Sequence, residues 1–150
     1  MLFRFVRQVW WHDNAPERGR HDVTDEMAWV ERELEAACEG YGGRLMVMAK
    51  SLGTLAAAFA AEQRYPAAWL TPLLTEPDVA DALLSYPVEQ LVVIGESDPY
   101  LDHTVFDALP GDRFIVPGDH VLATRGDAVA MVSSHDAFVR ALDSWLTALA

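Results

Sequence analysis

Cysteine is almost absent from this sequence, with Cys38 standing alone among 150 residues. A single thiol closes no internal disulfide. Its place on the apolar side of a predicted helix, with no charge pattern to favour a thiolate, reads as a buried side chain rather than a nucleophile. Long apolar runs are missing as well. Hydrophobic residues make up 51% of the chain, yet no stretch approaches the roughly 20 residues that a membrane-spanning helix needs. The apolar start, Met1 to Trp11, is interrupted by Arg4 and Arg7 and leads to no small-residue cleavage site, so a soluble, cytoplasmic protein is expected. Basic residues are scarce, 11 Lys and Arg against 23 Asp and Glu, for a formal net charge of −12. Phosphate binding depends on Lys and Arg releasing counterions, so the charge argues against nucleic acid and disfavours anionic membranes as partners. Neither Gly-x-Gly-x-x-Gly nor a Walker loop occurs, which weakens a flavodoxin-like nucleotide or phosphate binder.

What is present is an alternation of short apolar runs and helical patterns, of a length suited to one domain spanning residues 1–150. Phe3 to Trp11 reads as a strand and His12 to Val23 as a polar loop. A helix then follows, with Thr24 as cap and Met27, Val30, Leu34 and Cys38 on one face. Arg44 to Ala49 is a buried-strand pattern, and Leu52 to Gln63 is rich in helix formers. Ala67 to Leu70 is a second short strand. Thr75 with Asp78 reads as a capping pair for a helix closed by Pro87. Glu89 to Gly95 is another buried strand, Val105 to Leu109 a brief helical turn, and Arg113 to Val116 a last strand. Ser133 to Asp136 opens a final helix with an apolar stripe of Phe138, Val139, Leu142, Trp145, Leu146 and Leu149. The order predicts an α/β fold with a mostly parallel sheet of about five strands, flanked by helices on both faces.

The reactive side chains fall at the carboxyl ends of these strands, where such sheets bind ligands. Ser51 follows one strand, Asp98 another and His120 a third. A serine hydroxyl is a weak nucleophile. It needs an imidazole to take its proton, and the imidazole needs a carboxylate to fix its tautomer. Around Ser51 the sequence Ala49-Lys50-Ser51-Leu52-Gly53 has small residues two before and two after the serine, as a sharp strand-to-helix turn demands. The N–H of Leu52, at the start of the helix, then points at a developing oxyanion. The plainer reading makes Ser51 a helix cap, and Asp98 and His120 ordinary turn residues.

Other candidates compete for these roles. Asp102 lies one turn on from Asp98, but Gly95 and Pro99 bracket Asp98. Asp119 reads as a solvated turn carboxylate, and His12, His21, His103 and His135 as surface histidines. Asp102 with His103 falls short of the three or four convergent ligands of a metal site. Lys50 raises a Ser-Lys mechanism, which an elbow disfavours by turning the lysine away from the serine.

On these residues the chain resembles the α/β-hydrolase superfamily, and more closely its small, lidless bacterial members with a Lys-Ser-Leu-Gly or Lys-Ser-Met-Gly elbow. The matching segments are VRQVWW at 6–11, MAKSLGT at 48–54, WLTPLL at 69–74, LVVIGESDPYLD at 91–102 and VPGDHVL at 116–122. The resemblance implies the acid in Gly95-Glu96-Ser97-Asp98-Pro99 and the base in Gly118-Asp119-His120-Val121-Leu122. It implies hydrolysis of a small carboxylic ester, less readily an amide or thioester, through an acyl-enzyme on Ser51, with a small-molecule substrate and no cofactor. The family carries an earlier strand whose following loop donates a second oxyanion N–H, and the chain begins too late to hold it. Gly19 is a poor substitute. Two readings follow: weakened activity, or a non-catalytic binding domain that kept the elbow. The strand matched by Phe3 to Trp11 must then pair directly with that of Arg44 to Ala49 or leave open edges, which a homodimer or a swapped element is expected to cover. A start codon placed too far downstream is the plainer account.

Overall fold

The computed structural model describes the backbone of residues 23–149 and the side chains of residues 26–149. The strand read at Phe3 to Trp11, the loop His12 to Asp22 and Gly19 lie outside the described residues. Helix α1 spans Val23–Cys38, and β1 covers Val47–Lys50. A 3₁₀ helix over Ser51–Ala56 runs into α2, Ala57–Glu62, and is followed by β2, Ala67–Leu70, and α3, Pro77–Leu84. Then come β3 at Gln90–Gly95, α4 at His103–Ala108, β4 at Asp112–Val116 and α5 at Ala128–Ala148.

The four strands form one sheet in the order β1-β2-β3-β4, and every neighbouring pair is parallel. Parallel neighbours need crossovers, which the 3₁₀ helix with α2, α3 and α4 supply on the face that α1 also covers, while α5 packs on the other. All six residues of β3 are buried, Leu91 to Gly95 as an apolar run and Gln90 through its amide, which donates to the Leu83 and Pro110 carbonyls. Alternation along β2 divides the core in two. Trp69 points into a cluster with Val30 of α1, Leu83 of α3 and Phe106 of α4. Ala68 points the other way, to Leu91, Val93, Val116 and Trp145 of α5. Each fully buried Leu or Val in these layers contributes about 1.5–3 kcal/mol relative to exposure. Trp69 meets Tyr86 edge to face at 5.7 Å, and the Tyr86 hydroxyl donates to the Tyr65 carbonyl at 2.7 Å. Burial pushes the Tyr86 phenol far above its ordinary pKa.

Several local readings give way to particular side chains. Helix α5 begins at Ala128 rather than Ser133, because Asp127 caps it by accepting from the Ala130 N–H at 2.9 Å. Ser134 lies inside the helix, and its hydroxyl donates to the Pro117 carbonyl at 2.6 Å. Val139 leaves the predicted apolar stripe and is 57% exposed, while Phe138, Leu142, Leu146 and Leu149 pack beside Trp145. Helix α3 has Glu76 in the cap position with no side-chain cap bond. Pro77 at the first turn has no N–H to satisfy, so the Thr75 cap is dispensable. Thr24 falls within α1 rather than before it. Strand β1 starts at Val47, where its N–H first finds the Pro66 carbonyl, at 3.0 Å. Cys38 is half-buried.

Candidate active site

Strand β1 ends at Lys50, and Ser51 turns the chain with φ of +53°. A non-glycine residue in this left-handed region costs of order 1–3 kcal/mol and persists only where its surroundings hold it. Thr54 is one of the holds. Its buried hydroxyl donates to the Ser51 carbonyl at 2.6 Å and accepts from the Leu73 N–H at 3.3 Å, tying the turn to the chain beyond β2. Gly53 is buried behind it. The predicted continuous helix from Leu52 to Gln63 is a 3₁₀ turn for its first part, a tightening that its run of helix-forming residues does not signal. Leu52 belongs to the first turn, whose N–H groups have no carbonyl partner within the helix.

Asp98 sits in the turn after β3. Its N–H donates to the Gly95 carbonyl at 3.1 Å, and its carboxylate is wholly buried. His120 lies in the loop after β4, with about a quarter of its side chain exposed. The imidazole stands between the other two side chains. Its Nε2 is 2.7 Å from Ser51 Oγ, and its Nδ1 is 2.9 Å from Asp98 Oδ2 and 3.1 Å from Oδ1. These contacts join residues 69 and 22 positions apart in sequence. With Nδ1 protonated toward the carboxylate, Nε2 is left as acceptor for the serine hydroxyl. Asp98 Oδ1 also accepts from the Tyr100 N–H at 2.9 Å, and the Tyr100 ring lies 5.1 Å from that of His120.

The acid turn and the histidine loop touch through backbone. Ser97 N–H donates to the Gly118 carbonyl at 2.9 Å, and Glu96 N–H to the Val116 carbonyl at 2.9 Å. A Cβ on Gly95 would overlap the carbonyl oxygens of Gly118 and Asp119. Glycine is therefore what permits the approach. Asp119 is more than a solvated turn carboxylate: its Oδ1 accepts from the Val121 and Ala123 N–H groups at 3.0 and 3.1 Å. Those two bonds, first Val121 and then Ala123, hold its carboxyl below the usual range.

The competing residues are otherwise engaged. Asp102 caps α4, accepting from Thr104 and Val105 N–H at 2.8 and 3.1 Å. His103 is exposed at the start of that helix. No group of three or more metal-binding side chains occurs among the described residues. His135 contacts the Met131 carbonyl on the exposed side of α5. Lys50 donates to the His120 carbonyl at 3.1 Å. Thr54, Tyr100 and Asp119 were not singled out for these roles by the sequence. Asp98 with Tyr100 and Asp119 with Val121 both form the turn in which an Asp accepts from the N–H two residues on, and that residue type in a turn was the available signal.

No protein-family model matches the sequence, and no curated protein matches it. Among solved structures, the fold is similar to that of a crystal structure described as a predicted CIB-like hydrolase from Thermoplasma acidophilum, at TM-score 0.55 and 16% identity. The likeness is one of fold. It covers 88% of this chain but 64% of the other, so the chain spans less than two thirds of that hydrolase. The architecture, a parallel sheet flanked by helices, is thus similar to that of this structure. No described helix is long and apolar enough to cross a membrane.

Proposed function

We propose that the chain is a serine hydrolase that cleaves a small carboxylic ester, and less readily an amide or thioester, through an acyl-enzyme on Ser51. The observation that carries this reading is the imidazole of His120, in hydrogen-bond reach of the Ser51 hydroxyl on one side and the Asp98 carboxylate on the other. His120 accepts the Ser51 proton as Oγ attacks the ester carbonyl, then delivers it to the leaving alcohol. Asp98 holds the ring in the tautomer that leaves Nε2 free and stabilises the imidazolium. Water repeats the sequence on the acyl-enzyme and releases the acid. The Leu52 N–H is the assigned donor to the oxyanion. One such donor contributes about 10²- to 10³-fold to turnover. This chemistry requires no cofactor.

A fluorophosphonate probe tests the reading, because it reacts with activated serines and leaves a defined mass adduct. Labelling that maps to Ser51 and disappears in Ser51→Ala is the expected result. Absence of labelling in the folded wild-type chain would contradict it.

A further inference from the structure

Lys50 closes β1 immediately before Ser51, and the mechanism above gives it no task. The register pairs Met48 with Ala68 and Lys50 with Leu70, and both partners belong to the core layer beneath α5. Alternation therefore turns Lys50 toward the layer in which Leu122, two residues after His120, is buried. There its Nζ donates to the His120 carbonyl at 3.1 Å. Burial holds this ammonium below the usual lysine value, with Asp98 and then Asp119 as the carboxylates that oppose the shift.

The other bonds on this loop run elsewhere. Gly118 is tied to the acid turn through Ser97, and the Asp119 side chain and carbonyl hold Val121, Leu122 and Ala123 within the loop. The Lys50 bond joins the main chain of His120 itself to the strand that delivers the nucleophile. A carbonyl held there fixes the peptide plane from which the His120 Cα–Cβ bond departs, and with it the reach of Nε2 to Oγ.

We infer that Lys50 is a positioning residue: by bracing the His120 carbonyl from the position next to Ser51, it sets the distance between imidazole and nucleophile. Losing such a bond is expected to slow the reaction by roughly two- to twelvefold. The kinetic side of this inference rests on the proposed acyl transfer. The geometric side does not.

The experiment compares the full-length wild type with Lys50→Met and Lys50→Arg, using fluorophosphonate labelling rates and the far-downfield proton resonance of an imidazole N–H bonded to carboxylate. Lys50→Met is expected to label several-fold more slowly and to move or broaden the resonance, with a thermal midpoint lowered by no more than about 5 °C. Lys50→Arg, which keeps a donor at that place, is expected to restore both readouts toward wild type. Wild-type rate and resonance in Lys50→Met would overturn the inference, as would a Lys50→Arg no better than Lys50→Met. If the wild type does not label, the hydrolase reading fails, and the resonance alone decides on the brace.

Discussion

The corner that carries Ser51 and the loop that carries His120 are held by different means. At the corner, a strained residue is secured by a buried side chain: Thr54 lies under Ser51, wholly inaccessible to solvent, and bonds both the Ser51 carbonyl and the Leu73 N–H. The loop is shallow. Its histidine is partly exposed, Val121 beside it is 57% exposed, and its shape comes from backbone contacts with the acid turn and from Asp119. Leu122 is the exception, buried with φ of +58° as the loop's anchor in the core. The nucleophile is fixed by one buried side chain that bonds both its own turn and the chain beyond β2. A base delivered from another strand depends on a close crossing of two chains.

This contrast ranks substitutions. Gly95→Ala strikes the crossing, where the added methyl would overlap two backbone oxygens that cannot swing aside as a side chain would. It should slow labelling of Ser51 by about a hundredfold, the effect of a misplacement near 1 Å, and lower stability by about 1–3 kcal/mol. Labelling rates and urea midpoints measure the two losses. Thr54→Ala strikes the corner instead. It strands the buried Leu73 N–H and removes a donor from the part-buried Ser51 carbonyl, so it should lower stability by about 2 kcal/mol, with Thr54→Ser recovering most of the loss. Its effect on labelling of the folded fraction should be smaller than that of Gly95→Ala. The reverse order would mean that the corner, not the loop, governs the distance between base and nucleophile.

The same contrast explains what could be read from the sequence. The buried run of β3 and the four residues of β2 were legible because composition and alternation are local. The Ala-Lys-Ser-Leu-Gly turn was legible because the crowding it relieves involves residues two positions away. Asp98 and His120 were marked as candidates by the glycines and proline beside them. The start of α5 was misplaced because a Ser-Ser-His-Asp sequence signals a cap as well as Asp127 does, and only the packing of Ser134 against Pro117 chooses between them. The reason for Gly95 was hidden for the same cause. What fills the space around it is a pair of carbonyls more than twenty residues away. Asp119 looked like a solvated carboxylate because its acceptor role depends on a loop conformation that includes Gly118 at φ of +116°.

The proposed chemistry depends on His120 acting as the base for Ser51. Its most direct test is the rate of fluorophosphonate labelling in His120→Gln relative to wild type, with both proteins shown to be equally folded. Removing a positioned general base should slow the reaction by about 10²- to 10⁴-fold. Equal rates in the two proteins would mean that the imidazole, although 2.7 Å from the hydroxyl, does not activate it.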